Sequence, residues 1–177
     1  MSRFDECLSF VLAKEGGYSN HPQDRGGATN RGLTQQTYDA WRINKGLSRS
    51  PVSGISMQEV RAIYEQRYWL PVASDKLPAP LDLVVFDAAV QHGTSKAAKW
   101  LQRVVEANQD GFIGRVTVAK VAQEIDLRGV KALVYDFMAM REEFYDAIIE
   151  RDPSQQVFAK GWDNRMADLG NCVKEFV

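Results

Sequence analysis

Residues 3–34 read RFDECLSFVLAKEGGYSNHPQDRGGATNRGLT, and a change of pattern part-way along this stretch decides the fold class. In its first half Phe4, Cys7, Leu8, Val11 and Leu12 recur at i, i+3, i+4, i+7 and i+8, the spacing of one face of an amphipathic helix. Ser2 is placed to cap that helix. Gly16 and Gly17 are expected to end it, because glycine tolerates the left-handed backbone that helix C-termini commonly adopt. Glu15 then sits in or beside the last turn. From Gly16 to Thr34 the residues are mainly Gly, Asn, Asp, Pro and Thr, with too few apolar side chains at any fixed spacing for a helix, so loop and a short β-hairpin are expected.

The rest of the chain returns to helical patterns. Thr34 can cap a helix through Trp41 that stops at Lys45-Gly46, and a polar loop follows through Pro51 and Gly54. Ser56-Met-Gln-Glu59 is a capping box opening a helix to about Trp69. Pro71, Pro78 and Pro80 break the chain before a helical run from Leu81 that Gly93 closes. Ser95 can start the next helix, Asn108 to Gly114 is rich in turn residues, and Thr117 is the expected cap of a further short helix. From Val130 the residues Leu133, Val134, Phe137, Met138, Phe144, Tyr145 and Ile148 form the longest apolar stripe, which makes this the expected central core helix. Beyond Pro153 a terminal helix is expected to close over the core. The fold class is therefore mainly α, with a small β-hairpin or loop region after the first helix.

Length and composition narrow the function. A chain of 177 residues can bury one substantial core, and 45% hydrophobic with 25% charged residues is ordinary for a globular protein. A net charge of -1, with no run of Lys and Arg interleaved with aromatics, argues against nucleic acid as a partner. The apolar stretch Leu81 to Val90 carries Asp82 and Asp87 and is far shorter than the roughly 20 residues of a membrane span, so membrane insertion is not expected. Arg3 is followed at once by Asp5 and Glu6, and no Sec-type signal is read; synthesis in the cytoplasm is the expectation. Cys7 and Cys172 read as two buried thiols, with a disulfide as the lesser alternative.

The residues that carry chemistry begin with Glu15. Breaking a glycosidic bond requires protonation of a poor leaving group, so a carboxylic acid must stay protonated near neutral pH. A helix C-terminus and partial burial both disfavour a carboxylate, and both act to raise the pKa expected at Glu15. Asp24, nine residues on, can fold back across a cleft to stabilise oxocarbenium-like charge or to orient the attacking water, with Thr29 supplying a hydroxyl for the same water. Tyr18, in the loop after the acid, is read as a cleft residue; Trp69 and Tyr68 fit a sugar cleft or the core equally well. His21 and His92 do not form a ligand spacing, and Asp110-Gly-Phe-Ile-Gly114 lacks the alternating acids of a calcium loop, so no metal or other cofactor is expected.

The string Glu15-Gly-Gly-Tyr-Ser-Asn-His-Pro-Gln-Asp-Arg-Gly-Gly-Ala-Thr-Asn-Arg-Gly-Leu-Thr34 closely resembles the signature of the glycoside hydrolase family 108 muramidases. The resemblance continues through Tyr64, Arg67-Tyr68-Trp69, Asp75-Lys76-Leu77-Pro78 and Phe86-Asp87-Ala88-Ala89-Val90. Leu101-Gln102, Asp110-Gly111, Gly114 and Thr117 then look like the peptidoglycan-binding segment that follows in this family, and Gly161-Trp162 extends the match. Two positions depart from the pattern: Gln91 stands where Asn is common, which bears on a substrate contact, and Arg115 where Pro is common, which bears on a turn.

The resemblance implies a lysozyme-like fold, with residues 1–92 as catalytic segment and 93–177 as a helical peptidoglycan-binding-like segment packed into the same compact unit. It implies hydrolysis of the β-1,4 bond between N-acetylmuramic acid and N-acetylglucosamine; a water positioned by Asp24 and Thr29 would give inversion, the separation of the two carboxyl groups deciding between inversion and retention. Glu15 is the implied acid, assisted by Asp24 and Thr29, while Tyr18, Thr34, Trp69, Asp87 and Gln91 are the implied substrate contacts. A monomeric, bacteriolytic enzyme of the phage endolysin kind would follow, reaching the wall through a holin or holin-like partner. A lytic transglycosylase and a non-catalytic murein-binding module are the alternatives.

Overall fold

The computed structural model of the chain describes residues 1–20 and 27–175, so His21 and Asp24 lie outside the described residues. Two compact units are present, Met1–Arg67 and Tyr68–Val177. Among the described residues there are seven α-helices and one sheet of two short strands.

In the first unit, α1 (Arg3–Lys14) starts at a complete capping box in which Ser2 and Asp5 satisfy each other's free backbone groups. A helix of 12 residues is marginal in isolation, and its stability here comes from the buried face Phe4, Cys7, Leu8 and Val11. Asp5 also accepts from Arg61 on α3 (Met57–Tyr64) at 2.8 Å, which fixes the start of α1 against that helix. Between them come β1 (Thr29–Asn30) and β2 (Leu33–Thr34), an antiparallel hairpin with Thr29 opposite Thr34 and Asn30 opposite Leu33. Ser19 pairs with Thr29 on the other side, both backbone hydrogen bonds being 2.8 Å.

Thr34 caps α2 (Gln35–Asn44) through its hydroxyl, as its position after a polar loop predicts. Gln35 then clamps the following loop, donating to the Ser50 carbonyl at 2.8 Å and accepting from the Val52 N–H at 2.7 Å. Ser56 and Glu59 form the second capping box, and Val60, Ile63 and Tyr64 of α3 are fully buried. The expected helix to Trp69 changes type after Tyr64, because Glu65–Trp69 adopts the wider π-helical winding.

In the second unit the central helix is α4 (Leu81–His92), and this corrects the expectation that the stripe beyond Val130 would take that place. Leu81 through Ala89 are all buried, and a helix apolar around its whole circumference belongs in a core. α5 (Thr94–Val104) and α6 (Arg115–Arg151) pack on it, and α7 (Gln156–Lys174) packs on α6. The stripe beyond Val130 lies on the second half of α6, burying Leu133, Val134, Phe137 and Tyr145 on one side only.

Two local expectations are also corrected, the cap at Thr117 and the full burial of Cys172. Thr117 is no cap: α6 begins at Arg115 after Gly114, and the Thr117 hydroxyl is buried in its first turn, accepting from Gln102 at 3.3 Å. α6 is broken at Gly129, whose φ of 79° with ψ of 154° no helical residue adopts. Arg128 braces the break, holding Glu124 before it at 2.8 Å and Asp136 beyond it at 2.7 Å. Cys7 is buried and Cys172 half-buried.

Candidate active site

Glu15 is the residue at which α1 stops. Its backbone N–H still reaches the Leu12 carbonyl at 3.3 Å, but its φ of -87° and ψ of 143° are extended, so the chain leaves the helix there and the side chain stands half-buried at its end. This corrects the expected mechanism of termination: neither Gly16 nor Gly17 takes a positive φ, and the exit is made by Glu15 itself.

What meets the Glu15 side chain is the tip of the hairpin. Arg31 and Gly32 have φ of 52° and 75°, the paired left-handed residues of a two-residue type I′ turn that matches the twist of its strands. The turn is held from below by Tyr64, fully buried, whose hydroxyl donates to the Arg31 carbonyl at 2.9 Å. A Cβ at Gly32 would stand 3.0 Å from Glu15 Oε2 and 3.1 Å from its Cγ, and closer still to the Tyr64 hydroxyl. The bare backbone of Gly32 is therefore what lets the carboxylate and the phenol approach the same point. Tyr64 and Gly32 are the members of this site that the residue-level reading did not single out. The signal was present in Asn30-Arg31-Gly32-Leu33, where a glycine between strand-like residues marks a tight hairpin turn.

Replacing Gly32 by Ala is expected to lower stability. The left-handed backbone alone costs an L-residue about 1–2 kcal/mol, and the added methyl must displace Tyr64 or Glu15. Thermal unfolding checks this; a parental midpoint would contradict the close approach described.

Thr29 is half-buried on β1, with its hydroxyl donating to the Gly27 carbonyl at 3.3 Å, and its strand pairs directly with the one that leaves the Arg31-Gly32 turn. Thr34 lies opposite it, but its hydroxyl accepts from the Thr37 N–H and also bonds the Thr37 hydroxyl at 3.1 Å, the work of a helix cap. Tyr18 is 53% exposed in the loop after Glu15. Asp24 falls outside the described residues.

The remaining expected contacts are in the second unit. Gln91 is exposed near the end of α4. Trp69 is 4% exposed and packs edge-on against Phe86 with ring centroids 5.3 Å apart, which is core packing. Asp87 is corrected outright as a substrate contact. It is fully buried, with Arg165 donating to both of its oxygens at 2.7–3.2 Å and Arg141 to Oδ2 at 2.5 Å. Burial pushes its carboxyl up, but the two guanidiniums outweigh burial and hold it below the ordinary carboxylate range.

His92 borders this ion cluster. Its Nε2 accepts from Arg141 Nε at 3.1 Å and lies 3.1 Å from the Tyr145 hydroxyl. Burial first, then the charges of Arg141 and Lys96, push its pKa down from 6.5 to about 3, with Asp87 pulling the other way and Arg165 adding to the fall. The folded protein thus keeps a neutral imidazole where the unfolded chain takes up a proton. Because the unfolded state binds more protons between about 6.5 and about 3, this contribution is complete above the upper value and declines as pH falls through the window. The thermal midpoint is expected to drop between pH 7 and pH 5, above the range where carboxylates titrate, and to drop less in a His92→Gln protein. An unchanged slope in that variant would refute the assignment. Among the described residues no group of three or more His, Cys, Asp or Glu is placed to hold a metal ion.

Comparison with known proteins adds the following. The family model described as glycosyl hydrolase 108 matches residues 8–93, and the one described as predicted peptidoglycan domain matches residues 96–167. The chain is similar to a solved structure, that of SagA from Brucella abortus, at 33% sequence identity with a TM-score of 0.78, covering 98% of this chain and 94% of that one. Comparison with the curated proteins finds no match.

Proposed function

This chain belongs to the glycosyl hydrolase 108 family, and on that premise we propose that it is an N-acetylmuramidase cleaving the β-1,4 bond between N-acetylmuramic acid and N-acetylglucosamine, with Glu15 as proton donor. The peptidoglycan domain behind the glycoside hydrolase segment supports the substrate. The observation that carries the residue assignment is the meeting of the half-buried Glu15 carboxylate with the Gly32 backbone and the Tyr64 hydroxyl, which holds one acid in a fixed place beside the open Tyr18 loop.

In this reading the protonated Glu15 gives its proton to the glycosidic oxygen as the bond from that oxygen to the anomeric carbon of the muramyl sugar breaks. A water molecule, positioned by Asp24 with Thr29, delivers its oxygen to that carbon and its proton to the Asp24 carboxylate. Tyr18, Thr34 and Gln91 are the proposed sugar contacts. No helix among the described residues is long and apolar enough to cross a membrane. With a muramidase activity goes the further proposal of a monomeric, bacteriolytic, endolysin-like role after holin-type release.

Mass spectrometry of the products from purified sacculi tests the chemistry. Fragments ending in reducing N-acetylmuramic acid are expected. Ends carrying 1,6-anhydromuramic acid would make the protein a lytic transglycosylase, and intact glycan with bound protein would make it a binding module.

A further inference from the structure

A groove in the unit Tyr68–Val177 takes no part in the chemistry proposed for Glu15 and lies between the second half of α6 and α7. The two helices run antiparallel there. Tyr145 stacks on Trp162 with ring centroids 4.7 Å apart, and further back along α6 Met138 Cε stands 3.9 Å from where a Gly170 Cβ would be. The groove has a volume of about 640 Å³. Its floor is Met138, Tyr145 and Met166, none more than 7% exposed. Ala139, Ala167 and Gly170 also line it, leaving room where larger side chains would close it.

The walls of this apolar channel are acidic. Glu142 and Asp146 stand one turn apart on α6, Asp163 meets the same space from α7, and Lys174 lines the opposite end. Arginines hold Asp87, Glu124 and Asp136 elsewhere in the unit, whereas Glu142, Asp146 and Asp163 are exposed and meet no cation among the described residues. Like charges at i and i+4 on a helix repel each other, so a cation laid beside Glu142 and Asp146 would relieve an unfavourable pair. A chain of net charge -1 thus gathers negative charge at one end of an apolar channel.

These properties select an occupant. Carboxylates around the channel repel polyanions, which argues against nucleic acid, an anionic membrane surface and a phosphate-bearing wall polymer. The two methionines give a floor that adapts to apolar side chains of differing shape. A channel between two helices seats a third, whose apolar residues at i, i+3, i+4 and i+7 enter it while flanking Lys or Arg side chains reach the rims. From Tyr135 to Asp146 α6 advances about 16 Å, three turns of such a helix. Its N-terminus, with partial positive charge, belongs at the Asp146 and Asp163 end, and its C-terminus at Lys174.

We propose that the groove between α6 and α7 docks a basic amphipathic helix of a partner protein, its apolar face on Met138, Tyr145 and Met166 and its cations on Glu142, Asp146 and Asp163. The surface is separate from the glycan chemistry, and it gives the chain a means of being held by another protein.

The probe is a labelled peptide of about 18 residues, Leu and Lys only, with Leu at the helical spacing. Binding to the full chain is expected by fluorescence anisotropy, with amide NMR shifts centred on Ala139, Glu142, Asp163 and Ala167. Glu142→Lys with Asp146→Lys should weaken it at least tenfold. Ala139→Phe, which fills the groove and leaves every charge in place, should do the same. All three positions are exposed, so the thermal midpoint and sacculus hydrolysis stay parental. A peptide of the same composition in scrambled order, and one with Glu for Lys, are expected to bind at least tenfold more weakly. Equal binding of the scrambled peptide, or parental binding by Ala139→Phe, would reduce the contact to surface charge and overturn the docking groove. Absence of binding, or shifts centred elsewhere on the protein, would overturn it as well. So would self-association in sedimentation that the same substitutions abolish, since a second copy of the chain would then be the occupant. Each of these results leaves the assignment of Glu15 where it stands.

Discussion

Glu15→Gln is expected to lose peptidoglycan hydrolysis by 10²–10⁴-fold, the range that a positioned general acid contributes, with no fall in thermal midpoint. Gln has the size and polarity of Glu and can still lie against Gly32 and Tyr64, so the change removes a proton without emptying the space. A structural role would give the opposite pattern, a loss of stability with activity scaling to the folded fraction. Initial rates on dye-released sacculi, read beside thermal unfolding, separate the two. Clearing at the parental rate by a folded Gln variant would remove Glu15 from the mechanism and leave the family assignment standing.

The largest loss of stability is expected at Asp87. Asp87→Asn deletes a negative charge that two guanidiniums share, and both arginines are nearly inaccessible, with side chains 1% and 9% exposed. Removing one partner from a buried ion pair costs about 3–5 kcal/mol, because the remaining charge is left desolvated and uncompensated. Here the charge of Arg141 is left, with an Nη2 that already lacks a hydrogen-bond partner among the described residues. Against a typical total of about 5–15 kcal/mol, this is enough to unfold much of the protein at 37 °C. Urea denaturation measures it, and a change below about 1 kcal/mol would contradict the arrangement. Replacing Asp87, Arg141 and Arg165 together by Leu, Met and Met should recover most of the loss, since apolar packing commonly does at least as well as a buried ion cluster.

Local features of the fold were readable because their causes are local. Ser2 and Ser56 lie three residues before Asp5 and Glu59, and each forms the box that the spacing predicts. Thr34, Gly46 and Gly93 punctuate the chain where their backbone preferences place them. Leu81 to Ala89 held enough information to identify a helix buried all round, but the longer one-sided stripe on α6 drew the assignment of the core.

Features that depend on distant partners left no such trace. Asp87 resembles a site residue in an apolar run, and the arginines that bury it are 54 and 78 positions further along. Thr117 has the composition of a cap, yet Gln102 on the preceding helix takes its hydroxyl. The candidate site divides in the same way. Glu15 and the hairpin could be placed from sequence, whereas the approach of Tyr64 from α3 to the tip of that hairpin is a product of packing.

The trio of Asp87, Arg141 and Arg165 also bears on how this chain can change through descent. One carboxylate on α4 answers to α6 and α7 at once, so a single exchange at position 87 weakens both attachments together and is removed before any repair can arise. Only near-simultaneous replacement escapes that trap. Among divergent relatives these three codons should therefore be kept or lost as a block, and their joint presence would record common ancestry where the solvent-facing residues of the same helices have already drifted.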